Sequence, residues 1–118
     1  MKIGMVGLGR MGANMTRRLM RDGHEIVAYD VDAGQVEALA GEGAEAASSL
    51  EDLVRRLPGP RVVWIMVPAA FVEGVADDLR ELLAEGDILI DGGNSYYRHA
   101  VDRADAFQEV GIRHLDVG

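Results

Sequence analysis

One stretch near the amino terminus decides the fold of this 118-residue chain: Lys2-Ile3-Gly4-Met5-Val6-Gly7-Leu8-Gly9-Arg10-Met11-Gly12. An apolar run with the length of a strand leads into a turn whose glycines are spaced G-x-G-x-x-G. Apolar side chains then recur at helical period, at Met11, Met15, Leu19 and Met20. The stretch predicts a β-strand, a tight turn and an α-helix that turns one face, Met11 included, toward a sheet.

The same alternation continues to the end of the chain. Further strands are predicted at residues 25–29, 44–47, 61–67, 87–91 and 112–117, and further helices at 32–40, 48–57, 71–83 and 96–110. Asp32 is the expected N-cap of the second helix, and Ser48 with Glu51 predicts a capping box for the third. Six strands and five helices with short connections predict one dinucleotide-binding domain over residues 1–118. We expect a Rossmann-type α/β fold: a doubly wound parallel sheet in the order 3-2-1-4-5-6, in three layers.

Composition excludes several kinds of partner. Acidic residues outnumber basic ones by 20 to 12, so the net charge is −8, and there is no cysteine. The absence of cysteine excludes disulfides and cysteine-ligated metal sites. Nucleic acid and anionic membranes are disfavoured because both are bound through lysine and arginine. No apolar run approaches the ~20 residues of a membrane span, and no histidines show metal-ligand spacing. We expect a cytoplasmic protein without a metal site.

The glycine-rich turn has the chemistry of a phosphate site. In the context of a strand and a helix, Gly7 allows the tight turn, Gly9 lets backbone approach a pyrophosphate, and Gly12 lets the helix pack closely. The free N–H groups of the helix start then meet the phosphates. A turn that merely needs glycines is the competing interpretation. Arg10 leans over the phosphates or adenine, or is simply a solvated arginine. The predicted contacts are the whole run, Gly7, Leu8, Gly9, Arg10, Met11 and Gly12.

Asp30 closes the second strand close to twenty residues after this turn. At that position a carboxylate accepts hydrogen bonds from the adenosine ribose diol. A strand-end turn residue or an N-cap is the alternative. Val31 and Asp32 follow, so no arginine stands where a 2′-phosphate would lie, and two carboxylates would repel it. The sequence therefore favours NAD over NADP.

Two more loops follow predicted strands at the same edge of the sheet. Val67-Pro68-Ala69 has few hydrogen-bonding side chains and either lies against the nicotinamide ribose or only terminates its strand. Asp91-Gly92-Gly93-Asn94-Ser95 again lets backbone approach a ligand, and the Asn94 amide both donates and accepts. Asn94 or Ser95 caps the next helix in the alternative interpretation. A side chain at this strand end would meet the nicotinamide and the substrate.

Together these motifs resemble 6-phosphogluconate dehydrogenase (decarboxylating). The residues that show this resemblance are Gly7 to Gly12 with Asn14-Met15, Met66 to Ala69, and above all the more specific run from Asp91 to Arg98. The resemblance implies cofactor contacts at Gly7–Gly12, Asp30–Asp32 and Val67–Ala69, and contact of Asn94 with both nicotinamide and 6-phosphogluconate. Typical NADP-using members carry Asn-Arg-Thr where this chain has Asp30-Val31-Asp32, a departure that matches the charge argument.

The reaction implied is oxidation of 6-phosphogluconate at its 3-hydroxyl and loss of CO₂ to give ribulose 5-phosphate, with a lysine as base. Lys2 is the only lysine and lies in the first strand, so we expect no catalytic residue in this chain. The helical substrate and dimerisation domain of the family is also missing, and the whole enzyme is expected to be a homo-oligomer. Two alternatives stay open: the cofactor domain of another β-hydroxyacid dehydrogenase, such as one acting on 3-hydroxyisobutyrate, and a non-catalytic NAD-binding module.

Overall fold

The computed structural model describes residues 1–92 and 111–116. Its elements alternate strand and helix as expected: β1 Lys2–Val6, α1 Arg10–Arg21, β2 Glu25–Tyr29, α2 Ala33–Ala40, β3 Glu45–Ala46, α3 Leu50–Arg55, β4 Val62–Ile65, α4 Ala69–Leu82, β5 Ile88–Asp91 and β6 Arg113–Asp116. The strands form one sheet in the order β3-β2-β1-β4-β5-β6, and every neighbouring pair is parallel. The predicted doubly wound topology is confirmed. The helix predicted at 96–110 lies outside the described residues.

The described helices pack on both faces of the sheet. Met5 and Ile26 point to one face, where they join Leu39 of α2 and the inner side of α1 in one apolar cluster. Val6 and Ile65 point to the other, where the cluster is completed by Leu53 of α3, Leu79 of α4 and Leu83 at the end of α4. Successive residues of β1 therefore serve opposite cores, which is why its sequence is apolar without alternation. Each fully buried leucine contributes about 1.5–3 kcal/mol of burial free energy.

The cap of α3 differs from the prediction by one residue. Ser49, not Ser48, is the N-cap, and its hydroxyl accepts a 3.0 Å hydrogen bond from the Asp52 N–H. Asp52 in turn accepts from the Ser48 N–H at 2.9 Å, whereas Glu51 is exposed. The capping box predicted for Ser48 and Glu51 was therefore wrong in register. The shorter aspartate is buried at the helix start, where it also meets Arg55 and Arg56. The N-cap predicted at Asp32 is confirmed by its side chain accepting from the Gly34 N–H at 2.9 Å.

Met11 also departs from the predicted helix face. Its side chain is 70% exposed, although Met15, Leu19 and Met20 pack against the core as expected. Helical phase does not explain this, because Met11 and Met15 are four residues apart and lie on the same face of the helix. Met11 lies in the first turn of α1, at the end of the helix that meets the edge of the sheet, whereas Met15 lies one turn further in. Within residues 1–92 and 111–116, no helix is long and apolar enough to cross a membrane.

Candidate cofactor site

The carboxyl ends of the central strands bring the predicted site loops together. Val6 at the end of β1 is in register with Tyr29 of β2 and Ile65 of β4, and Ile65 is in register with Asp91 of β5. The residues that follow these strands therefore leave the sheet side by side, at one edge. That edge also receives the amino termini of α1, α2 and α4.

The glycine-rich turn is built from two crowded glycines and one open glycine. Gly7 has φ +97°, and a Cβ there would lie 2.8 Å from the Val67 nitrogen. A Cβ on Gly12 would collide with the Gly7 carbonyl oxygen. Gly9 is the N-cap of α1, and no atom lies within 4 Å of the position that a Cβ on Gly9 would take. Gly7 and Gly12 are thus required by the protein's own packing, while Gly9 keeps a backbone surface open at the start of the helix.

The start of α1 offers backbone donors and no competing carboxylate. Gly9 makes no side-chain cap, and no acidic residue lies in the first turn. The first N–H groups of an α-helix have no intrahelical acceptor, and the helix dipole makes this end partly positive. Arg10 and Met11 are exposed beside these groups. This end of α1 can therefore hold an anion through backbone alone.

Asp30 joins the turn to the loop after β2. Its Oδ2 accepts a hydrogen bond from the Leu8 N–H at 2.7 Å, and its Oδ1 accepts from the Asp32 N–H at 2.8 Å. Leu8 itself is buried, whereas Val31 between the two aspartates is 93% exposed. The structure thus gives Asp30 the turn-forming role that the sequence left open. Each carboxylate oxygen retains a second lone pair for another donor.

Val67, Pro68 and Ala69 border the same turn. Val67 is half-buried against the core, and Pro68 is the N-cap of α4, so the helix begins at Ala69 and not at the predicted position 71. The strand-terminating role of Pro68 is therefore real. Met66 and Val67 contact the glycine-rich turn at Gly7, and Pro68 and Ala69, which follow them, are exposed. Phe71, which the sequence placed only as a helix residue, is also exposed, at 63%.

The loop after β5 is described only at its beginning. Asp91 is fully buried, and the Gly92 N–H donates to the Ile65 carbonyl at 3.0 Å. A Cβ on Gly92 would collide with the indole nitrogen of Trp64 and the sulfur of Met66. A side chain at position 92 would therefore have to displace the side chains of Trp64 and Met66. Asn94, the predicted contact to nicotinamide and substrate, lies outside the described residues.

A shallow cavity of about 370 Å³ opens between α1 and α2 beside the glycine-rich turn. Its lining combines predicted and unpredicted residues: Leu8, Gly9, Arg10, Ala13, Asn14, Arg17, Gln35, Ala38 and Leu39. Arg17 is occupied by Glu42, to which it donates at 2.9 and 3.0 Å, and by Asn14. The contribution of α2 depends on how the two helices pack, and no local sequence signal shows it.

The described part of this edge holds no lysine side chain. Lys2, the one lysine of the sequence, lies at the amino end of β1, and its Nζ is 3.5 Å from Glu45. Among the described residues, no group of three or more histidine, aspartate or glutamate side chains could hold a metal ion. Beside the glycine-rich turn, the described residues assemble a backbone cradle flanked by Asp30 and Asp32.

Comparison with known proteins places this geometry in a family. Residues 2–118 match the family model described as the NAD binding domain of 6-phosphogluconate dehydrogenase. The chain is 46% identical over 119 residues to an NAD(+)-dependent, decarboxylating 6-phosphogluconate dehydrogenase of Haloferax volcanii, which covers all of the chain and 39% of that protein. It is 37% identical over 121 residues to the enzyme of the same description from Bacillus subtilis, covering 98% of the chain and 26% of that protein. The chain thus spans less than half the length of these relatives.

Solved structures show the same fold. The 6-phosphogluconate dehydrogenase of Plasmodium falciparum superposes with a TM-score of 0.88 at 25% identity, covering 97% of this chain and 26% of that one. A 3-hydroxyisobutyrate dehydrogenase of Mycobacterium tuberculosis superposes equally well, with a TM-score of 0.88, at 23% identity over 98% of this chain and 39% of that one. Fold alone does not choose between these two families, whereas the family model and the sequence relatives do. The chain belongs to the family of NAD-binding domains of 6-phosphogluconate dehydrogenase.

Proposed function

We propose that this chain binds NAD and serves as the cofactor domain of a 6-phosphogluconate dehydrogenase. The observation that carries the proposal is the open backbone at Gly9, between two glycines that the packing requires, at the start of a helix without a first-turn acid. A pyrophosphate needs this combination of close approach and free N–H donors. The two relatives described above as NAD(+)-dependent support it.

In this function the chain's residues bind and orient. The backbone from Gly9 to Gly12 holds the pyrophosphate, and Asp30 accepts from the ribose hydroxyls with its remaining lone pairs. Val67, Pro68 and Ala69 border the path of the dinucleotide toward β5, where we place Asn94 against nicotinamide and substrate. When bound, NAD supplies the acceptor for the hydride of the substrate alcohol.

We propose NAD rather than NADP because of the charge beside the ribose. Asp30 and Asp32 lie within one turn of chain, joined by a hydrogen bond from the Asp32 N–H to Asp30. A 2′-phosphate carries about −1.5 to −2 charges at pH 7. Against two partly exposed carboxylates this costs about 1–4 kcal/mol. The loop that carries the two aspartates and the helix α2 that follows it contain no arginine or lysine to offset this repulsion.

The test is a pair of calorimetric titrations of this chain with NAD and with NADP. We expect NAD to bind about tenfold tighter or more, which corresponds to about 1.4 kcal/mol. Equal or tighter binding of NADP would contradict the assignment of cofactor, and absence of binding by either would contradict the function.

We also propose that catalysis needs residues beyond these 118. The base of the family is a lysine, and Lys2 lies at the opposite end of β1 from the site. This chain with NAD and 6-phosphogluconate should therefore form no ribulose 5-phosphate, and measurable product would overturn this point. For the whole enzyme we propose oxidative decarboxylation of 6-phosphogluconate by a homo-oligomer, whose substrate and dimerisation domain is separate from this one.

A further inference from the structure

Met11 is an exposed methionine at the start of the helix that forms the phosphate cradle. Its side chain is 70% exposed, although the sequence pattern placed it on the packed face of α1. All six methionines of the chain lie within the described residues, and of the other five Met1 alone is as exposed, at 73%. The remaining four lie in or against one apolar cluster: Met5, Met15, Met20 and Met66. Met11 is thus the methionine that the fold leaves open to solvent at the candidate cofactor site.

We propose that Met11 is a site of reversible oxidation to methionine sulfoxide by hydrogen peroxide, and that the sulfoxide weakens dinucleotide binding at the cradle. The first part concerns the chemistry of the helix start alone. The second part rests on the proposed function and adds a regulation of that same site.

The geometry of the first turn directs the Met11 side chain toward free donors. The first hydrogen bond of α1 runs from the Ala13 N–H to the Gly9 carbonyl at 2.8 Å, so the N–H groups of residues 10–12 have no acceptor within the helix. In an α-helix the Cα–Cβ bond is tilted toward the amino terminus, and a side chain covers the turn that precedes its own Cα. The Met11 thioether is therefore directed over these donors, beside the exposed Arg10.

These donors favour the oxidation itself. The Met11 sulfur gives an electron pair to one oxygen of hydrogen peroxide, and the S–O bond forms as the O–O bond breaks. The other oxygen leaves as hydroxide and takes the proton of the transferred oxygen, so the products are the sulfoxide and one water. Negative charge develops on the leaving oxygen, and the free N–H groups at the partly positive end of α1 stabilise it.

The size of this effect follows from the charge at a helix end. The stabilisation of an anion there corresponds to about a twofold to fivefold change in rate. Exposure alone would give Met11 no such advantage over another surface methionine. Met1 cannot serve as the reference, because it carries the α-amino group of the chain, whose positive charge acts in the same way.

Oxidation also changes the chemistry at the rim of the cradle. It converts an apolar thioether, a weak acceptor, into a polar group with a sulfoxide oxygen. That oxygen can accept from a free N–H group of the first turn, and a pyrophosphate then has to displace it. One competing hydrogen bond corresponds to about a twofold to tenfold weaker affinity for NAD. Methionine sulfoxide reductase restores the thioether, so the change is reversible.

The first experiment measures oxidation rates by peptide-mapping mass spectrometry in the variant Asp78→Met, which carries both methionines to be compared. Asp78 is exposed in the second half of α4, away from a helix start. In dilute hydrogen peroxide we expect Met11 to be oxidised about twofold to fivefold faster than the methionine at position 78. In concentrated urea the two rates should become equal. Equal rates in the folded chain, or a difference that persists in urea, would overturn the role of the helix start.

The second experiment measures the dissociation constant of NAD by calorimetry before and after peroxide treatment, for the wild-type chain and for Met11→Leu. We expect the wild-type constant to rise by about twofold to tenfold, and to return after treatment with methionine sulfoxide reductase and a thiol reductant. Within Met11→Leu, the constant after peroxide should equal the constant that this variant had before it. An unchanged wild-type constant, or an equal rise in Met11→Leu, would overturn the effect on binding.

The outcomes also distinguish this inference from the proposed function. If NAD does not bind the wild-type chain, the proposed function fails and the effect on binding fails with it, while the rates at positions 11 and 78 still decide the oxidation chemistry. If NAD binds and its affinity is insensitive to oxidation of Met11, only this inference fails. Saturating NAD should slow oxidation at Met11 and leave position 78 unaffected, and equal oxidation of Met11 with and without bound NAD would contradict its place at the cradle.

Discussion

Substitution by alanine should lower the stability of the fold at Gly12 but leave it nearly unchanged at Gly9. Gly12 is a residue of α1, where alanine is favoured over glycine by about 1 kcal/mol on helix propensity alone. Yet a Cβ at Gly12 would collide with the Gly7 carbonyl oxygen, lie 2.9 Å from the Gly7 carbonyl carbon and 3.3 Å from the Met66 Cβ. Local propensity therefore predicts a more stable Gly12→Ala variant, and packing predicts a less stable one.

Packing should win, because the atoms that a new methyl group meets are backbone and cannot rotate away. Overpacking of this kind costs about 1–3 kcal/mol, and we expect the upper part of that range. After the gain in helix propensity, Gly12→Ala should lose about 1–2 kcal/mol of unfolding free energy. For a chain of this size, that lowers the Tm by about 4–8 °C.

Gly9→Ala is the matched control for stability and the sharper test of binding. Nothing lies within 4 Å of a Cβ there, and φ −63° with ψ −172° is open to alanine. Alanine is a poorer N-cap than glycine, which lowers stability, but it also makes the unfolded chain less flexible, which raises stability. These two effects offset each other, so the unfolding free energy should change by less than about 1 kcal/mol. The methyl group would stand where the pyrophosphate approaches, and NAD affinity should fall about tenfold or more.

Thermal unfolding by circular dichroism and calorimetry with NAD check both variants. The reasoning is refuted if Gly12→Ala is as stable as the wild type, or if Gly9→Ala is destabilised more than Gly12→Ala. Unchanged NAD affinity in Gly9→Ala would refute the assignment of the cradle.

Three further predictions concern the core and the charges. The Ser48 N–H donates to the Asp52 carboxylate, and this bond, with the contacts to Arg55 and Arg56, holds the pKa of Asp52 below its ordinary value. The ionised carboxylate therefore stabilises the fold fully above about pH 4, and this stabilisation is lost as the pH falls further. The difference in Tm between the wild type and Asp52→Asn should be largest at pH 7 and should narrow below about pH 4. Leu53 of α3 is fully buried in the cluster on one face of the sheet, and Leu53→Ala should lower the unfolding free energy measured in urea by about 2–5 kcal/mol. Arg10 is exposed, and Arg10→Ala should weaken NAD by no more than about fivefold in calorimetry.

The topology was predictable because several independent signals agree. Apolar runs at strand length, helical periodicity and glycine or proline at the ends of helices all give the same alternation, and right-handed crossovers leave little choice of strand order. Boundaries were less predictable. β4 ends at Ile65, although the apolar run that contains it continues to Val67, because a residue can be apolar for packing beyond the last ladder hydrogen bond.

The local errors have one physical origin. Ser48 and Ser49 offer the same hydroxyl, so a sequence pattern cannot choose between these adjacent positions. Met11 and Met15 share one helix face, so periodicity alone cannot show that only Met15 packs against the core. The choice is made by packing: Asp52 is buried against two arginines, and Gly12 takes the inward position beside Gly7. The site loops were predictable as loops because glycine and proline mark them in the sequence. The hydrogen bond between Leu8 and Asp30 was not predictable, because it depends on how two strands bring their ends together.

The acidic composition is compatible with an anionic ligand because the donors at the turn are backbone groups. Along the turn, the Gly7 N–H is used on Tyr29 and the Leu8 N–H on Asp30, so both are committed to the protein. The next N–H groups belong to the first turn of α1, where helix geometry provides no acceptor. The carboxylate of Asp30 thus lies one peptide away from the donors that we assign to the pyrophosphate, and its charge is directed at Leu8. A net charge of −8 can therefore coexist with binding of a dinucleotide. The local negative charge of Asp30 and Asp32 still disfavours a ligand that carries a further phosphate beside Asp32.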